Sequence, residues 1–478
     1  MNIIQKINSL LPEIKKPTEK RVPFKVKMKW TLIILVAFFI LGVIPLYGLG
    51  QNALAQFEYL SIILGAEFGS LISLGIGPIV TASIVLQLLV GSGLLKINTA
   101  TEDGRQQFQG LQKILQLFFI IFEAMIYVFM GGLAPSTNLA HGTFITFQLL
   151  LVAQLCIGGL MIVFMDEVVS KWGIGSGVSL FIAAGVSSQI FIRAFSPLTT
   201  LGTWAFGSGE APVGKVWVLF QSLIGRNPAG ALLALSTIAF TIIVFLMAVY
   251  AQAMKVEIPL SFGRVRGYGI RWPLRFMYTS NIPVILVAAL IANIQLWARL
   301  MQSWVGEAAS GIMYFISRHI VGQYAGQSPV SGIISYLFSP NIPELLVTST
   351  FTTHSLAQIL VYTLFMMGGA VLFSIFWVQS AQMDAGSQAK QIMASGLQIP
   401  GFRRDERVLE RILSRYIFPL TIMGGMTVGF LAASADLLGA LTRGTGILLT
   451  VMIIYKFYED IAQHHMMDMY PSLRKMME

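Results

Sequence analysis

The sequence predicts an all-α polytopic membrane protein with ten transmembrane helices, and composition is the first reason. Hydrophobic residues make up 55% of the 478-residue chain and charged residues only 11%, whereas a soluble domain carries roughly a quarter charged residues. The single cysteine, Cys156, lies within an apolar run, so no disulfide framework or thiolate metal site is expected. Composition therefore excludes a soluble enzyme.

The second reason is a set of apolar stretches that each match the roughly 20 residues needed to cross a bilayer. In chain order they are 30–49, 75–95, 111–133, 143–165, 174–195, 230–253, 276–297, 355–377, 413–433 and 436–458. The fifth stretch is the weakest candidate for a membrane span because four serines lower its hydropathy. Ten is an even number, so both termini are expected on the same side of the membrane.

Charge predicts which side that is. Residues 1–29 hold eight Lys and Arg against two Glu, and only six of the 32 Lys and Arg fall on the opposite face or at its span ends. The positive-inside rule therefore places both termini in the cytosol. Apolar residues at helical spacing from Ile3 to Ile14 favour an amphipathic helix on the cytosolic surface over a solvated tail.

Two short similarities suggest that the chain is built from two halves. The segments 77–80 (GPIV) and 282–285 (IPVI) open the second and seventh spans, and 175–178 (GSGV) and 444–447 (GTGI) lie at the fifth and tenth. Both offsets are five spans, so the second half must be inverted in the membrane. Inverted halves around a central axis are typical of transport proteins.

Few ionisable residues lie within the spans. Glu123 alone lies deep inside one, although an ion-coupled transporter needs such residues near the midplane. Chance resemblances to a phosphate loop, a nucleophilic serine turn and a metal site fail on spacing or surroundings, so neither catalysis nor a cofactor nor a metal is predicted. An inverted-repeat transporter of a small solute remains the alternative from this pattern.

Basic residues instead concentrate in two predicted cytosolic loops, 254–275 and 378–412. Gly263 and Gly267 flank Arg264 and Arg266 and favour an exposed hairpin tip, and the second loop carries Arg403 and Arg404. Such charge commonly reflects topology and lipid contact alone. Arginine forks also suit phosphate backbones, so an RNA-bearing partner is the functional hypothesis.

Four motifs carry a resemblance to a known family. The segments LGIGPIVTASIVLQLLVGSG, DEVVSKWGIGSGVSLFIAAGV, TSNIPVILVAALIANIQLW and GTGILLT are similar, in the same order, to motifs of the SecY family, the large subunit of the Sec protein-conducting channel. Ser176 favours the archaeal and eukaryotic branch. The resemblance covers almost the whole chain and is poor at 196–229 and 298–354. It implies two inverted five-helix halves around a central pore.

The resemblance divides the chain and assigns its parts. The predicted units are a cytosolic segment 1–29, a first half 30–195, an external segment 196–229, a second half 230–458 and a cytosolic tail 459–478. A plug half-helix is expected at about 57–68, with Phe57, Leu60, Ile63, Leu64 and Phe68. An apolar pore ring is expected from Ile76, Val80, Val178, Ile182, Ile285 and Leu449.

The resemblance also implies a lateral gate and a function. A polar cluster of Thr81, Glu123 and Asn293 is expected where the channel opens sideways to lipid. The expected activity is passage of unfolded secretory chains through the cell membrane and lateral release of hydrophobic segments. Expected partners are a SecE-type subunit, a Secβ-type subunit and the ribosome, the last meeting Arg264, Arg266, Arg403 and Arg404.

Overall fold

The computed structural model describes most of the chain. The described residues are 14–15, 17, 22–52, 67–91, 94–95, 97, 101–136, 141–199, 203–206, 210–262, 269–279, 282–305, 315, 317, 321–325, 328–394, 397–398, 405–442 and 444–469. Their helices are α1 (Phe24–Val43), α2 (Gly77–Gly91), α3 (Glu102–Phe129), α4 (His141–Trp172), α5 (Gly177–Phe195), α6 (Lys215–Ile224), α7 (Pro228–Ala253), α8 (Ile282–Val305), α9 (Gly332–Tyr336), α10 (Ile342–Val347), α11 (Thr353–Ser380), α12 (Ala385–Ala394), α13 (Glu406–Leu437) and α14 (Gly444–Met469).

Ten of these helices coincide with the ten predicted spans: α1 to α5, α7, α8, α11, α13 and α14. Within the described chain, eight helical stretches are long and apolar enough to cross a membrane. Helix α2 is shorter, with 15 residues, and α14 is charged in its second half. Residues 71–76 run as turns directly into α2.

Helix ends differ from the ends of the apolar stretches at several places, and three helix starts show why. The first helix begins at Phe24 instead of residue 30, because Pro23 stands at its N-cap and nothing interrupts the following turn. The seventh begins at Ile282 instead of 276, since the backbone N–H of Phe276 instead bonds to Met254 O, just after α7. The tenth begins at Gly444 instead of 436, because residues 436–437 still belong to α13.

Side-chain caps fix where several helices begin. Thr101 accepts a hydrogen bond from the Gly104 N–H at the start of α3, and Asn227 accepts one from Gly230 at the start of α7. Thr352 and Asp405 do the same for α11 and α13. Each cap satisfies one of the backbone donors that the first turn of a helix leaves without a partner. The helix starts are therefore set by local sequence.

In the described part of the chain, seven short strands accompany the helices: β1 (Gln51–Asn52), β2 (Leu133–Ala134), β3 (Lys255–Phe262), β4 (Gly269–Arg275), β5 (Tyr324–Ala325), β6 (Ser328–Pro329) and β7 (Leu397–Gln398). The strands β3 and β4 form an antiparallel hairpin, and β7 pairs with the other edge of β3. Ser261 pairs with Gln398. The two predicted basic loops thus meet in one three-stranded sheet.

Two buried apolar clusters among the described residues hold the fold together. The larger runs through the membrane helices of both halves. The smaller joins the hairpin to the end of α11, to α12 and to the first turns of α13, through Ile258, Leu274, Ile392 and Leu413 among others. Large apolar side chains also face outward, such as Leu246, which is 59% exposed on α7. An apolar outer surface is what a bilayer solvates.

Candidate pore constriction and lateral gate

The chain enters α2 through a buried turn that its own side chains stabilise. Gly75 has a φ of +55°, a value that glycine adopts readily. Ser70 Oγ donates to Glu67 O at 2.6 Å, and Ser73 Oγ donates to Ser70 O at 2.5 Å. Irregular backbone at membrane depth needs such internal partners. The turn therefore presents Ile76 and the first turn of α2 to the interior.

The start of α5 depends on two glycines and one carboxylate. At Gly175, with a φ of +74°, a Cβ would lie 2.4 Å from the Phe457 ring, and at Gly177 it would lie 2.5 Å from the Asp166 Cα. The Asp166 Oδ1 accepts the N–H of Val178 at 3.0 Å. Asp166 thus fixes the backbone of a predicted ring residue. The sequence prediction did not single it out, although it opens the quoted DEVVSKWGIGSG motif.

The six predicted ring residues come from four helices and share one apolar core. Ile76, Val80, Ile182, Ile285 and Leu449 are buried within the larger cluster, and Val178 is half-buried against it. Ile76 and Val80 lie just before and within α2, Val178 and Ile182 on α5, and the last two on α8 and α14. The structure therefore brings the six into one cluster.

A cavity of about 350 Å³ lies directly against this cluster. Val80, Val178 and Ile285 line its apolar side. Its polar lining comes from the same helices and their neighbours, and includes Ser83, Gln112, Asp166, Ser179 and Lys456. A part-polar vestibule that ends on branched aliphatic side chains suits an extended polypeptide, which has both apolar and hydrogen-bonding groups.

The three predicted gate residues form one hydrogen-bonded chain across three helices. Thr81 Oγ1, on α2, donates to Glu123 Oε1, on α3, at 3.0 Å. Asn293 Nδ2, on α8, donates to Thr81 Oγ1 at 3.0 Å. All three side chains are buried. A polar bridge thus joins the first half of the chain to the second at a seam between α2 and α8.

One further polar residue lies beside this bridge and was not predicted. Tyr127 follows Glu123 by one turn of α3 and has no exposed surface. Its ring packs edge-on against Phe68, with 6.4 Å between the ring centroids. Phe68 is the one predicted plug residue that the structure describes. Phe57, Leu60, Ile63 and Leu64 lie outside the described residues.

The four arginines predicted to meet a ribosome, Arg264, Arg266, Arg403 and Arg404, also lie outside the described residues. Their flanking strands are described and carry ion pairs. Glu257 contacts Arg271 at 3.2 Å and Lys255 at 3.4 Å, and these two cations, Arg271 first, hold the pKa of the Glu257 carboxyl below its usual value. Arg275 pairs with Glu459 at 2.6 Å.

A second buried carboxylate was missed by sequence reasoning. Asp436, at the end of α13, accepts a hydrogen bond from the Tyr362 hydroxyl of α11. Residue 436 is the first residue of the predicted tenth span, 436–458, and no role was predicted for it. The Tyr362–Asp436 bond joins two neighbouring helices of the second half.

Comparisons with known proteins agree with this architecture. A sequence model of the SecY family matches residues 70–458, and one of the plug domain of Sec61p matches residues 36–69. The chain is 44% identical over 470 residues to the protein translocase subunit SecY of Methanothermobacter thermautotrophicus, across 98% of this chain and 96% of that one. The predicted plug segment 57–68 falls within the range that the plug model matches.

Solved structures agree as well. A protein-conducting channel superposes with a TM-score of 0.81 at 40% identity, and Sec61 from a canine ribosome–channel complex superposes with 0.78 at 39%; each match covers 99% of both chains. The chain shares the fold of these channels, with ten transmembrane helices in two halves.

Proposed function

The chain belongs to the SecY family, and from this membership we propose that it forms the central pore of a protein translocase. It passes unfolded secretory chains across the membrane and releases hydrophobic segments sideways into the bilayer. The observation that carries the proposal is the part-polar cavity against which three helices of the larger apolar cluster place Val80, Val178 and Ile285. The alternative of a small-solute transporter is not supported, since the relatives are translocase subunits and channels.

The ring explains how a pore wide enough for an extended chain excludes ions while it is idle. A constriction lined by branched aliphatic side chains excludes ions by dewetting, and flexible aliphatic groups fit around many client sequences. Ile76, Val80, Val178, Ile182, Ile285 and Leu449 are the residues we assign to it. The segment 57–68 is assigned to the plug, which covers the ring while the channel is idle.

The polar seam explains lateral release. A client segment of about 20 apolar residues leaves the pore because lipid solvates it better than water does. It must first separate α2 from α8 and so break the bridge through Thr81. No covalent step is needed, and we assign no catalytic role to any residue. The role we assign to Thr81, Glu123 and Asn293 is to set how apolar a client segment must be before it is released into the bilayer.

The energy for directional transport comes from a partner. We assign this role to the translating ribosome, which would meet Arg264, Arg266, Arg403 and Arg404. The sheet of β3, β4 and β7 supports this assignment because it brings the two basic loops side by side. A SecE-type and a Secβ-type small subunit complete the complex, and the charge asymmetry places both termini in the cytosol.

The ring assignment is tested by ion conductance. We expect the double variant Ile76→Asn with Ile182→Asn to give a folded complex that conducts ions at rest in a planar bilayer, because amides hold water in the constriction. Deleting residues 57–68 should add to the leak. The matched control places Asn at Ile120 and Ile162, which are equally buried in the same core but outside the ring; it should lower stability without conductance. A folded ring variant whose resting ion conductance equals that of wild type contradicts the assignment.

A further inference from the structure

Three oxygen atoms at the gate seam are buried and have no hydrogen-bond partner among the described residues. They are Glu123 Oε2, Asn293 Oδ1 and the hydroxyl of Tyr127. Their side chains are 1%, 4% and 0% exposed. Buried polar groups nearly always have partners, and in a membrane the surrounding lipid offers none. Three such atoms in one place therefore point to a ligand.

The three atoms belong to one local constellation. Thr81 Oγ1 is bonded to the other carboxylate oxygen of Glu123 and to the amide nitrogen of Asn293, each at 3.0 Å, so both unpartnered oxygens belong to groups already joined at Thr81. Tyr127 follows Glu123 by four residues, and helical side chains lean toward the N-terminus of their helix. Its phenol therefore lies over the turn of α3 that carries Glu123, on the same face of the helix.

The chemistry of the three atoms fits a single water molecule. An amide oxygen only accepts hydrogen bonds, a phenol hydroxyl donates one, and a carboxyl oxygen accepts one or, when it carries the proton, donates one. Water donates two and accepts at least one, and buried waters make about three hydrogen bonds to otherwise unsatisfied groups. We propose that Glu123, Asn293 and Tyr127 hold one ordered water in the closed seam, and that Tyr127 is a fourth member of the gate.

The water extends the bridge between the two halves of the chain. Asn293 would then be held twice, directly by Thr81 and through the water by Glu123 and Tyr127. Tyr127 also packs against Phe68, so it touches both the seam and the segment that leads into α2. Opening the seam must release the water and separate its partners. The water site stands on the seam geometry alone, while its effect on release rests on the proposed function.

The site is tested first by direct observation. A cryo-electron microscopy map of the closed complex, sharp enough to show ordered water, should contain one density peak within hydrogen-bond distance of the three oxygens. A map of Tyr127→Phe at the same resolution should lose or weaken that peak. A well-resolved wild-type seam with no peak there overturns the proposal, whatever the protein's transport activity.

The effect on the gate is tested with a graded Leu/Ala series of membrane segments in an insertion assay. Tyr127→Phe keeps the ring and its contact with Phe68 but removes the donor. It should lower the hydrophobicity needed for insertion and raise the ratio of inserted to translocated chain about twofold to threefold, as for one interhelical hydrogen bond in a membrane. Tyr278→Phe is the control, because its hydroxyl bonds to Met383 O, away from the seam.

A double-mutant cycle separates a bridging water from a packing role. Once Asn293→Leu has removed one acceptor, Tyr127→Phe should add little, so the two changes should not be additive. If Tyr127→Phe is silent while Asn293→Leu and Glu123→Leu shift the midpoint, Tyr127 only packs and the proposed role is wrong. If none of the three shifts it, the gate assignment itself fails, and the density peak alone then decides whether the water is present.

Discussion

At the scale of single residues, the seam depends on side chains that form hydrogen bonds with side chains of other helices. Thr81 accepts from Asn293 and donates to Glu123, so one hydroxyl connects α2, α3 and α8. Threonine suits this position because its hydroxyl both donates and accepts. Leucine there would leave a buried carboxylate and a buried amide without partners. The polarity of the seam is thus concentrated in very few atoms.

Replacing Asn293 or Glu123 by Leu should therefore change the balance between closed and open seam. An interhelical hydrogen bond in a membrane contributes about 0.6–2 kcal/mol, so we expect the hydrophobicity threshold for membrane insertion to shift by about that amount. The graded Leu/Ala series measures it. Equal midpoints for wild type and both variants would reject the cluster as a gate. Asn227→Leu, outside the seam at the start of α7, is the polar-to-apolar control.

A second prediction at this scale concerns Asp166. Its carboxylate accepts the Val178 N–H at the start of α5, in the manner of a helix cap. Asp166→Ala should lower the free energy of unfolding by about 1 kcal/mol, the usual effect of losing a cap, and should loosen the backbone that presents Val178. Asp166→Asn keeps an acceptor and should lose less. Thermal unfolding in detergent compares the two, and equal losses would argue against a capping role.

The sequence led to some of these residues and not to others, for a physical reason. Thr81, Glu123 and Asn293 follow from a family resemblance, and the structure joins them by hydrogen bonds. Tyr127, Asp166 and Asp436 give no pattern in the sequence, because what distinguishes them is the direction in which a side chain points and the atom it meets. That depends on how distant helices pack. The roles of the ring and gate residues stay predictions until they are measured.

At the scale of elements, apolar length predicted each membrane helix but not where each one ends. Hydropathy reports the part of a helix that lies in lipid, whereas helices continue into water wherever a cap or the next turn permits. Helix α4 illustrates this, since its 32 residues continue seven beyond the predicted span and end after Lys171. The third strand β7 could not be foreseen, because it pairs with β3 from more than 130 residues away.

The sheet leads to a prediction for the basic loops. Reversing Arg264, Arg266, Arg403 and Arg404 to Glu should weaken ribosome binding, because arginine contacts with phosphates release counterions. Wild-type binding should fall steeply as salt rises, and the slope should be smaller for the variant. Cosedimentation with ribosomes measures both. Reversing Arg271, which is already paired with Glu257, is the matched control, and equal affinity for the fourfold variant at physiological salt would refute the assignment.

Helix α6 leads to a separate prediction about lipid. Phe220, Leu223 and Ile224 are 54%, 61% and 84% exposed, and α6 packs along α7, which has no charged residue over 26 positions. We expect this apolar face to contact the bilayer, as aromatic residues near an interface do. A fluorophore on Ile224→Cys should be quenched by nitroxide lipids, and one on Thr350→Cys should not. Equal quenching at the two positions would contradict lipid contact.

At the scale of the whole molecule, the two halves share one apolar core, and hydrogen bonds cross between them at defined places. The bridge through Thr81 and Asn293 is one. Another is the bond that Arg193 of α5 donates to Leu441 O, just before α14, at 3.4 Å, while the Leu441 N–H donates to Thr241 Oγ1 of the same half at 2.9 Å. A seam that opens at the first contact while the second holds would let the halves part on one side. Under the proposed function, the closed state and the path to lipid would be two arrangements of the same ten helices.

The orientation of the whole chain gives the last prediction. Helix α11 has 28 residues, about 42 Å at 1.5 Å per residue, which exceeds the roughly 30 Å of the hydrocarbon core. Thr350 precedes α11 and Gln391 lies on α12, just after it, and both are exposed. These two positions must therefore lie on opposite faces of the membrane, and the Lys and Arg asymmetry puts Gln391 in the cytosol.

Cysteine labelling tests this orientation. Because Cys156 is the one native cysteine, a Cys156→Ala background lets a single introduced cysteine be labelled at each site. A membrane-impermeant maleimide should label Thr350→Cys in intact cells, and it should label Gln391→Cys only after the cells are permeabilised. The reverse pattern would put the basic loops outside the cell and exclude the ribosome as their partner.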